Sequence, residues 1–467
     1  MSEKKELIII GAGPGGYAAA FRAADLGIKV TLIDPEVNPG GVCLYRGCIP
    51  SKALLHVARV TQEAQAAEAY GIKFKKPDIN VSKIADWKNK VVEKLTGGLG
   101  QLAKARKIEY IQGKAAFTSE NEIEIKNNKN DKSTLKFQQA IIATGSTILN
   151  LPNIKIDHNI IMDSNDALQL EEIPETLLVV GGGYIGLELG SVYAALGCKV
   201  SVAEMTSGFL PGVDRDLVKV FDKENPFESV YFDTKVEKIL VKDNKAQVTL
   251  KGNDKTESKK FDKVLIAVGR KPNSDSINLD KVGVKTVNGF IRIDNQQRTS
   301  VENIFAIGDL TGEPLLAHKA SHEGRIAAEV IAGDKSAGYD PKAIPAIVFT
   351  NPEIAWCGIT EQEAKENEQK VKVVKFPWSA SGRAVTLGTD KGLTKLIVDP
   401  NSGIILGGGV AGKNAGSLIS EIVLAVEMGS TAEDVALTIH PHPTLSETIM
   451  ESAESFTGSP THIFKGS

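Results

Sequence analysis

Short, uninterrupted apolar runs alternate along this chain with longer stretches in which small and apolar residues recur at helical spacing. "ELIII" (6–10), "KVTLID" (29–34), "QQAIIATGS" (138–146), "TLLVV" (176–180), "VLIAVG" (264–269) and "IFAIGD" (304–309) read as strands buried on both faces, the habit of a parallel sheet. "YAAAFRAADLG" (17–27) keeps a helical period and stops at a glycine, and "SHEGRIAAEVIAG" (321–333) predicts another helix. Strand, glycine turn, helix and strand follow one another twice, once from residue 6 and again from residue 176.

The turns carry the chemistry. In "GAGPGG", Gly11 permits the tight turn, Gly13 lets a pyrophosphate approach the backbone and Gly16 lets helix and sheet pack closely. Phosphates then meet the unpaired N–H groups of the helix N-terminus. Asp34, ending the second strand, is placed to accept hydrogen bonds from a ribose. The segment 176–205 repeats this grammar with Gly181, Gly183, Gly186 and a strand ending at Glu204. A carboxylate there repels a 2′-phosphate, and "EMTSGFL" offers no arginine to hold one, so NAD is expected rather than NADP. A glycine-rich turn with no ligand would leave the two strand-end acids unexplained. Two dinucleotide sites in one chain imply two different dinucleotides in electronic contact, most economically a flavin and a nicotinamide, hence FAD and NAD.

The predicted fold is α/β: two Rossmann-like dinucleotide-binding domains plus a separate C-terminal α+β domain. The first, for FAD, runs over residues 1–150 with a helical insertion near 50–105. The NAD domain covers 151–275 and ends in "VLIAVGRKPN", an echo of "AIIATGS". Residues 276–345 return to the first domain, and 346–467 form the C-terminal domain, which carries no nucleotide signature. Pro226, in "VFDKENPFESVYF", predicts a helix break near the NAD domain.

Composition narrows the classes. The 467 residues exceed one ordinary core. A formal net charge of −3 advertises no basic surface for nucleic acid, and "NNKNDK" (127–132) reads as a solvated turn. No apolar run reaches the ~20 residues that span a bilayer. "MSEKKELIII" passes from charge straight into a strand without a signal-peptide pattern or amphipathic presequence, so the cytoplasm is expected, a trimmed organellar protein being the alternative. No group of residues has metal-ligand spacing, so no metal is expected.

Four cysteines in so long a chain cannot be a disulfide scaffold, yet Cys43 and Cys48 stand five apart in "GGVCLYRGCIPSK" (40–52). In a regular helix such residues have Cα atoms ~8–9 Å apart, whereas a disulfide needs less than about 7 Å. A bond between them requires irregular backbone, for which Gly47 supplies freedom. So small a loop staples little, which suits a disulfide meant to open. Two unrelated buried thiols remain the alternative.

The flanking residues extend the picture. "GAGPGGYAAAFRAADLG", "GGVCLYRGCIPSKALLH", "ATGS" (143–146), "GGGYIGLELG", "VGRKPN" (268–273), "FAIGD" (305–309), "LLAHKASHEG" (315–324) and "HPHPTLSET" (440–448) together resemble the flavin-dependent disulfide oxidoreductases, essentially along the whole chain. Val42 and Glu204 sort it with the lipoamide enzymes rather than the similar glutathione reductases, which typically carry threonine before the first cysteine and arginines for NADPH.

The resemblance implies that Cys43 exchanges with lipoamide and that Cys48 faces the flavin. Lys52 would lie beside the flavin ring and pair with Glu188. The segment around Ala115, where relatives often have glycine, would touch the adenine through its backbone. Gly145, in "ATGS", Asp309 and Ala317 would add flavin contacts; Val236 and Gly269 would flank NAD. His442, oriented by Glu447, would be the base. Its proton comes from a thiol of ordinary pKa about 8.5, and an imidazole raised by a carboxylate neighbour suits that task. His440 is the nearby competitor; His318 and His322 are expected to pack or bond.

The implied activity is oxidation of protein-bound dihydrolipoamide, electrons passing through the disulfide and FAD to NAD. The implied partners are a second copy, in a homodimer that brings His442 to the other subunit's disulfide, and lipoyl domains of 2-oxo acid dehydrogenase or glycine cleavage complexes. The rival readings are a reductase of another small thiol or of a metal ion, whose mercury-type members usually show C-terminal cysteines that "SPTHIFKGS" lacks, and a non-enzymatic component of a complex.

Overall fold

A computed structural model describes residues 4–253, 255–458 and 460–464. The expectations about a leader and about tail cysteines turn partly on residues 1–3, 459 and 465–467, which lie outside the described residues.

The apolar runs become parallel strands. In the first domain Glu109–Ser119, Val30–Asp34, Lys5–Ile10, Lys132–Ile142 and Ile304–Ala306 lie side by side in that order, all parallel. The register sets Leu7 against Val30 and Ile10 against Ile33. Leu7, Ile8 and Ile9 are wholly buried, as strands covered on both faces require. The long strand Glu109–Ser119 turns through Glu122–Asn127 into Lys132–Ile142 as an antiparallel meander, whose exposed second turn is the "NNKNDK" segment.

The second domain repeats the plan: Ser229–Tyr231, Lys199–Ala203, Thr176–Val180, Lys263–Ile266 and Ile161–Met162 are parallel neighbours in that order. It too carries a three-stranded antiparallel excursion, over residues 235–261. The helix Arg215–Asp222 ends before Pro226, which cannot supply an N–H to continue it.

Glycine spacing explains how closely helices lie on these sheets. A Cβ on Gly16 would stand 1.9 Å from the Gly11 carbonyl oxygen, and one on Gly186 2.2 Å from that of Gly181. The helix Pro14–Asp25 also packs against Ala317–Ile331, where a Cβ on Gly324 would stand 2.4 Å from Gly15 O. Larger residues would push the helix N-terminus off the strand end.

Between the first strands of domain one and its meander lie the helices Gly41–Arg46, Cys48–Ala66 and Val81–Ala105. Leu54 and Ala58 of the second enter the apolar cluster of the second domain, which also takes in Val348, Ile354 and Ala411. One core therefore spans all three parts of the chain. The C-terminal sheet is antiparallel, ordered Ala346–Val348, Glu353–Gly358, Ile405–Gly412, Leu393–Val398, Lys372–Pro377. The helices Ala415–Met428 and Glu447–Thr457 pack on it.

Candidate active site

A cavity of ≈ 520 Å³ runs from the first glycine turn to the paired cysteines. Gly11, Gly13, Asp34, Ala115, Gly145, Asp309 and Ala317 line it together with Cys43, Cys48, Lys52 and Glu188. The helix Pro14–Asp25 begins at Gly13 with no side-chain cap, so its first N–H groups keep their anion-binding capacity toward the cavity. A Cβ on Gly41 would stand 2.4 Å from Gly13 Cα, so two glycine backbones are pressed together where a phosphate-bearing ligand would pass. Asp34 spends one oxygen on Ala12 N (2.7 Å) and the other on Glu36 N (2.9 Å), which anchors the turn while leaving lone pairs for a ribose. Burial pushes its carboxyl above the usual value. These features fit FAD.

The break between the helices Gly41–Arg46 and Cys48–Ala66 falls at Gly47. A Cβ there would meet the Val42 carbonyl oxygen at 2.9 Å and Cys43 Cα at 3.3 Å, so only glycine lets the chain fold back enough to bring the two thiols into hydrogen-bond contact. Cys43 donates to Cys48. That bond, reinforced by the Lys52 ammonium and opposed by burial, lowers Cys48 to about 7. The same bond, with burial, pushes Cys43 well above the thiol range. Of the pair, Cys48 holds the negative charge.

Lys52 is itself fixed. Its Nζ lies 2.8 and 3.0 Å from the two Glu188 oxygens and 4.6 Å from the centroid of the Phe349 ring. Glu188, only 4% exposed, also accepts from Ser51 Oγ (2.8 Å) and Phe349 N (3.1 Å), so its charge is fully bonded. Lys52→Met is expected to move the Cys48 midpoint upward from about 7 and to cost about 3–5 kcal/mol by stranding the Glu188 charge. The pH dependence of iodoacetamide alkylation of the reduced protein, with a urea melt, checks both; an unmoved midpoint would count against Lys52.

Gly181, Gly183 and Gly186 form the second glycine turn, and the helix Tyr184–Ala195 again starts without a side-chain cap. Glu204 takes Gly182 N at 2.6 Å, Thr206 N at 2.8 Å and Thr206 Oγ1 at 2.9 Å. It thus anchors its turn as Asp34 anchors the first. Val236 is buried against Val180 and Ala203, and Gly269, with φ of +124°, leads into Arg270. None of Gly181, Gly183, Gly186, Glu204, Val236 and Gly269 lines the cavity. Gly16 does not line it either; like Gly186 it acts by letting helix and strand approach.

His442 donates from Nδ1 to Glu447 Oε1 at 2.8 Å and is 74% exposed. Burial pushes the Glu447 carboxyl up, but the Thr444 amide and the His442 ring outweigh it and hold the group below the usual range. The competitor differs: His440, 5% exposed, bonds Glu421 Oε1 and Thr438 O through its two nitrogens. His318 bonds the Pro345 carbonyl and His322 lies against Tyr339. Within one chain His442 and Glu447 do not line the cavity that holds Cys43. The helix Gly41–Arg46 packs on the helices Cys48–Ala66, Val81–Ala105 and Ser164–Gln169, whereas Glu447–Thr457 packs on the C-terminal sheet.

Sequence reasoning assigned no role to Ser146 and Arg270. Asp309 accepts a very short bond from Ser146 Oγ, and Arg270 donates to Ser146 Oγ (2.7 Å) and Ser146 O (2.6 Å), joining the two nucleotide modules. Both residues stood inside the quoted motifs "ATGS" and "VGRKPN", which was the available signal.

Two uncapped glycine turns flanking a reactive dithiol define a pyridine-nucleotide enzyme of disulfide chemistry. The family described as pyridine nucleotide-disulphide oxidoreductase matches residues 5–324, and its dimerisation domain matches 344–453; the chain belongs to this family. Its relatives include a dihydrolipoyl dehydrogenase of Haemophilus influenzae, 48% identical over 463 residues, covering 98% of this chain and 96% of that protein. One of Geobacillus stearothermophilus is 46% identical over 461 residues, covering 98% and 97%. Among solved structures, LpdA of Mycobacterium tuberculosis superposes with a TM-score of 0.90 at 25% identity, covering 97% of this chain and 99% of that one. The protein is an oxidoreductase whose cofactors are FAD and NAD(H), and its C-terminal domain is a dimerisation domain. Among the described residues no helix is long and apolar enough to cross a membrane.

Proposed function

We infer that the chain oxidises protein-bound dihydrolipoamide to lipoamide and reduces NAD, as a cytoplasmic homodimer serving the lipoyl domains of a 2-oxo acid dehydrogenase or glycine cleavage complex. The observation that carries this reading is the asymmetric Cys43–Cys48 pair lining the cavity beside the Lys52–Glu188 ion pair.

In the oxidised enzyme the two sulfurs are bonded. His442, with Nδ1–H committed to Glu447, keeps Nε2 free to take a proton from a dihydrolipoamide thiol. The resulting thiolate attacks Cys43, the Cys43–Cys48 bond breaks, and Cys48 leaves as a thiolate. A leaving thiol of low pKa departs faster, and Cys48 has the lower value of the two. The substrate's second sulfur then closes the lipoamide ring, and Cys43 leaves with a proton. Bound FAD supplies the two-electron link between this dithiol and NAD. Gly11, Gly13, Asp34, Ala115, Gly145, Asp309 and Ala317 would hold FAD; Gly181, Gly183, Glu204, Val236 and Gly269 would hold NAD.

The C-terminal domain leaves Leu424, Met428, Leu437 and Ile439 exposed, apolar surface suited to a partner subunit. Such pairing would carry the exposed imidazole to the other chain's cysteines.

Purified protein should be yellow and should couple dihydrolipoamide oxidation to NAD with kcat/KM about 100-fold or more above that with NADP, because Glu204 opposes the 2′-phosphate. Steady-state assays with both nucleotides, and with glutathione against dihydrolipoamide, check this. Equal use of the nucleotides, or preference for glutathione, would overturn it.

A further inference from the structure

Lys395, in the central part of the C-terminal sheet, has no solvent-accessible surface. A buried ammonium is tolerable only when paired, and three carboxylates surround this one. Its Nζ lies 2.8 Å from Asp214 Oδ2 and 3.0 Å from Asp216 Oδ1, and it bonds Glu361 as well. Lys375 adds a second cation, 2.6 Å from Asp216 and 3.3 Å from Glu361. Burial works against the charge on Asp216, yet its bonds to Lys375 and Lys395 hold the carboxyl below its ordinary range.

The acids come from two domains. Asp214 and Asp216 begin the NAD-domain helix Arg215–Asp222, and Glu361 begins the C-terminal helix Glu361–Glu366. Gly409 is what admits the first helix: a Cβ there would stand 2.4 Å from a Leu217 methyl. The joint is thus an ionic cluster beside a glycine-cleared seat.

From there an unbroken series of contacts reaches the second glycine turn. Arg215, adjoining Asp214, donates to the carbonyl oxygens of Phe209 (2.8 Å), Leu210 (2.6 Å) and Val213 (2.7 Å) and so clasps the loop 206–213. Leu210 N donates to Gly182 O at 3.0 Å. The Phe209 ring lies 2.8 Å from where a Cβ on Gly182 would be. Gly182 N donates to Glu204.

We propose that Lys395 is a positioning residue for the NAD turn, acting through Asp214, the Arg215 clasp and the loop 206–213, so that the dimerisation domain sets the affinity for NAD. This rests on reading the Gly181–Gly186 turn as the NAD site. Lys395 touches neither substrate nor cofactor; it fixes the backbone that does.

The test uses the FAD-loaded dimer. NADH binding is titrated directly for wild type, Lys395→Met, Arg215→Met and the double variant, and dihydrolipoamide-dependent reduction of the enzyme is followed by rapid mixing. Each single variant should weaken NADH binding, and raise KM for NAD, by roughly 3- to 30-fold. The dithiol half-reaction should change less than about twofold. The double variant should match the worse single one, because both cut the same series of contacts. If Lys395→Met does not fold, Lys375→Met, at the solvent edge of the cluster, should shift NADH affinity in the same direction by less. Unchanged NADH affinity in the folded variants overturns the proposal, as does full additivity in the double variant. Failure of wild type itself to bind NADH would instead overturn the reading of the turn, and shows in the unmodified protein.

Discussion

Cys48→Ser is expected to lower dihydrolipoamide oxidation by about 10⁴-fold or more, because no other group in the cavity can both close a disulfide with Cys43 and carry its charge. Serine cannot form a disulfide, so the variant's Cys43 has no bond to a partner sulfur for dihydrolipoamide to cleave. The reduced wild-type enzyme should also show one thiol whose alkylation rate rises with pH through about 7, and the variant should lack that phase. The sign follows from the shift: the reactive thiolate is populated above this midpoint and lost below it, whereas the Cys43 thiol stays protonated throughout. Stopped-flow alkylation and steady-state turnover measure the two effects separately. Full activity in Cys48→Ser would remove the basis of the proposed chemistry.

His442→Ala should cost about 10²- to 10⁴-fold in kcat, the range of a lost general base. The decisive form of this experiment mixes subunits. If the base serves the other chain's cysteines, dimers that combine a His442→Ala subunit with a Cys48→Ser subunit contain one intact site. Random reassociation of equal amounts should then restore about a quarter of wild-type activity. A base acting within its own chain would leave such mixtures dead. The exposed imidazole and its distance in the fold from the cavity lining motivate the first outcome. Glu447→Gln should fall between wild type and His442→Ala, since the amide still orients the ring but no longer favours its cation.

Much of this architecture could be read along the chain because the features concerned are local. The two glycine turns depend on backbone approach within six residues, Gly16 onto Gly11 and Gly186 onto Gly181, and a Cβ at either position is excluded whatever surrounds it. The buried parallel strands announced themselves by unbroken apolar runs. The kink between the cysteines likewise needed only Gly47. Roles for Lys52, Glu188 and Asp309 entered through resemblance, and the geometry gives each a physical partner.

Other features were invisible in that reading. His440 and His442 sit two residues apart in the same Pro-rich segment, yet one imidazole is locked between Glu421 and Thr438 while the other, bonded to Glu447 through Nδ1 alone, stays exposed. Nothing local distinguishes them, because Glu421 arrives from another helix. Arg270 meets Ser146 across 124 positions. Lys395 collects Asp214 and Asp216 from about 180 residues away, and looked like any strand lysine.

Amino-acid order alone therefore settled the element types, the two nucleotide turns and the site of the paired thiols, since these follow from sterics and hydrophobic period among near neighbours. Which thiol bears the charge, which histidine stays exposed and what ties the second glycine turn to the third domain were decided by folding. Charge interactions depend on separation in space and on exclusion of water, and neither quantity is written in the spacing of residues along a chain.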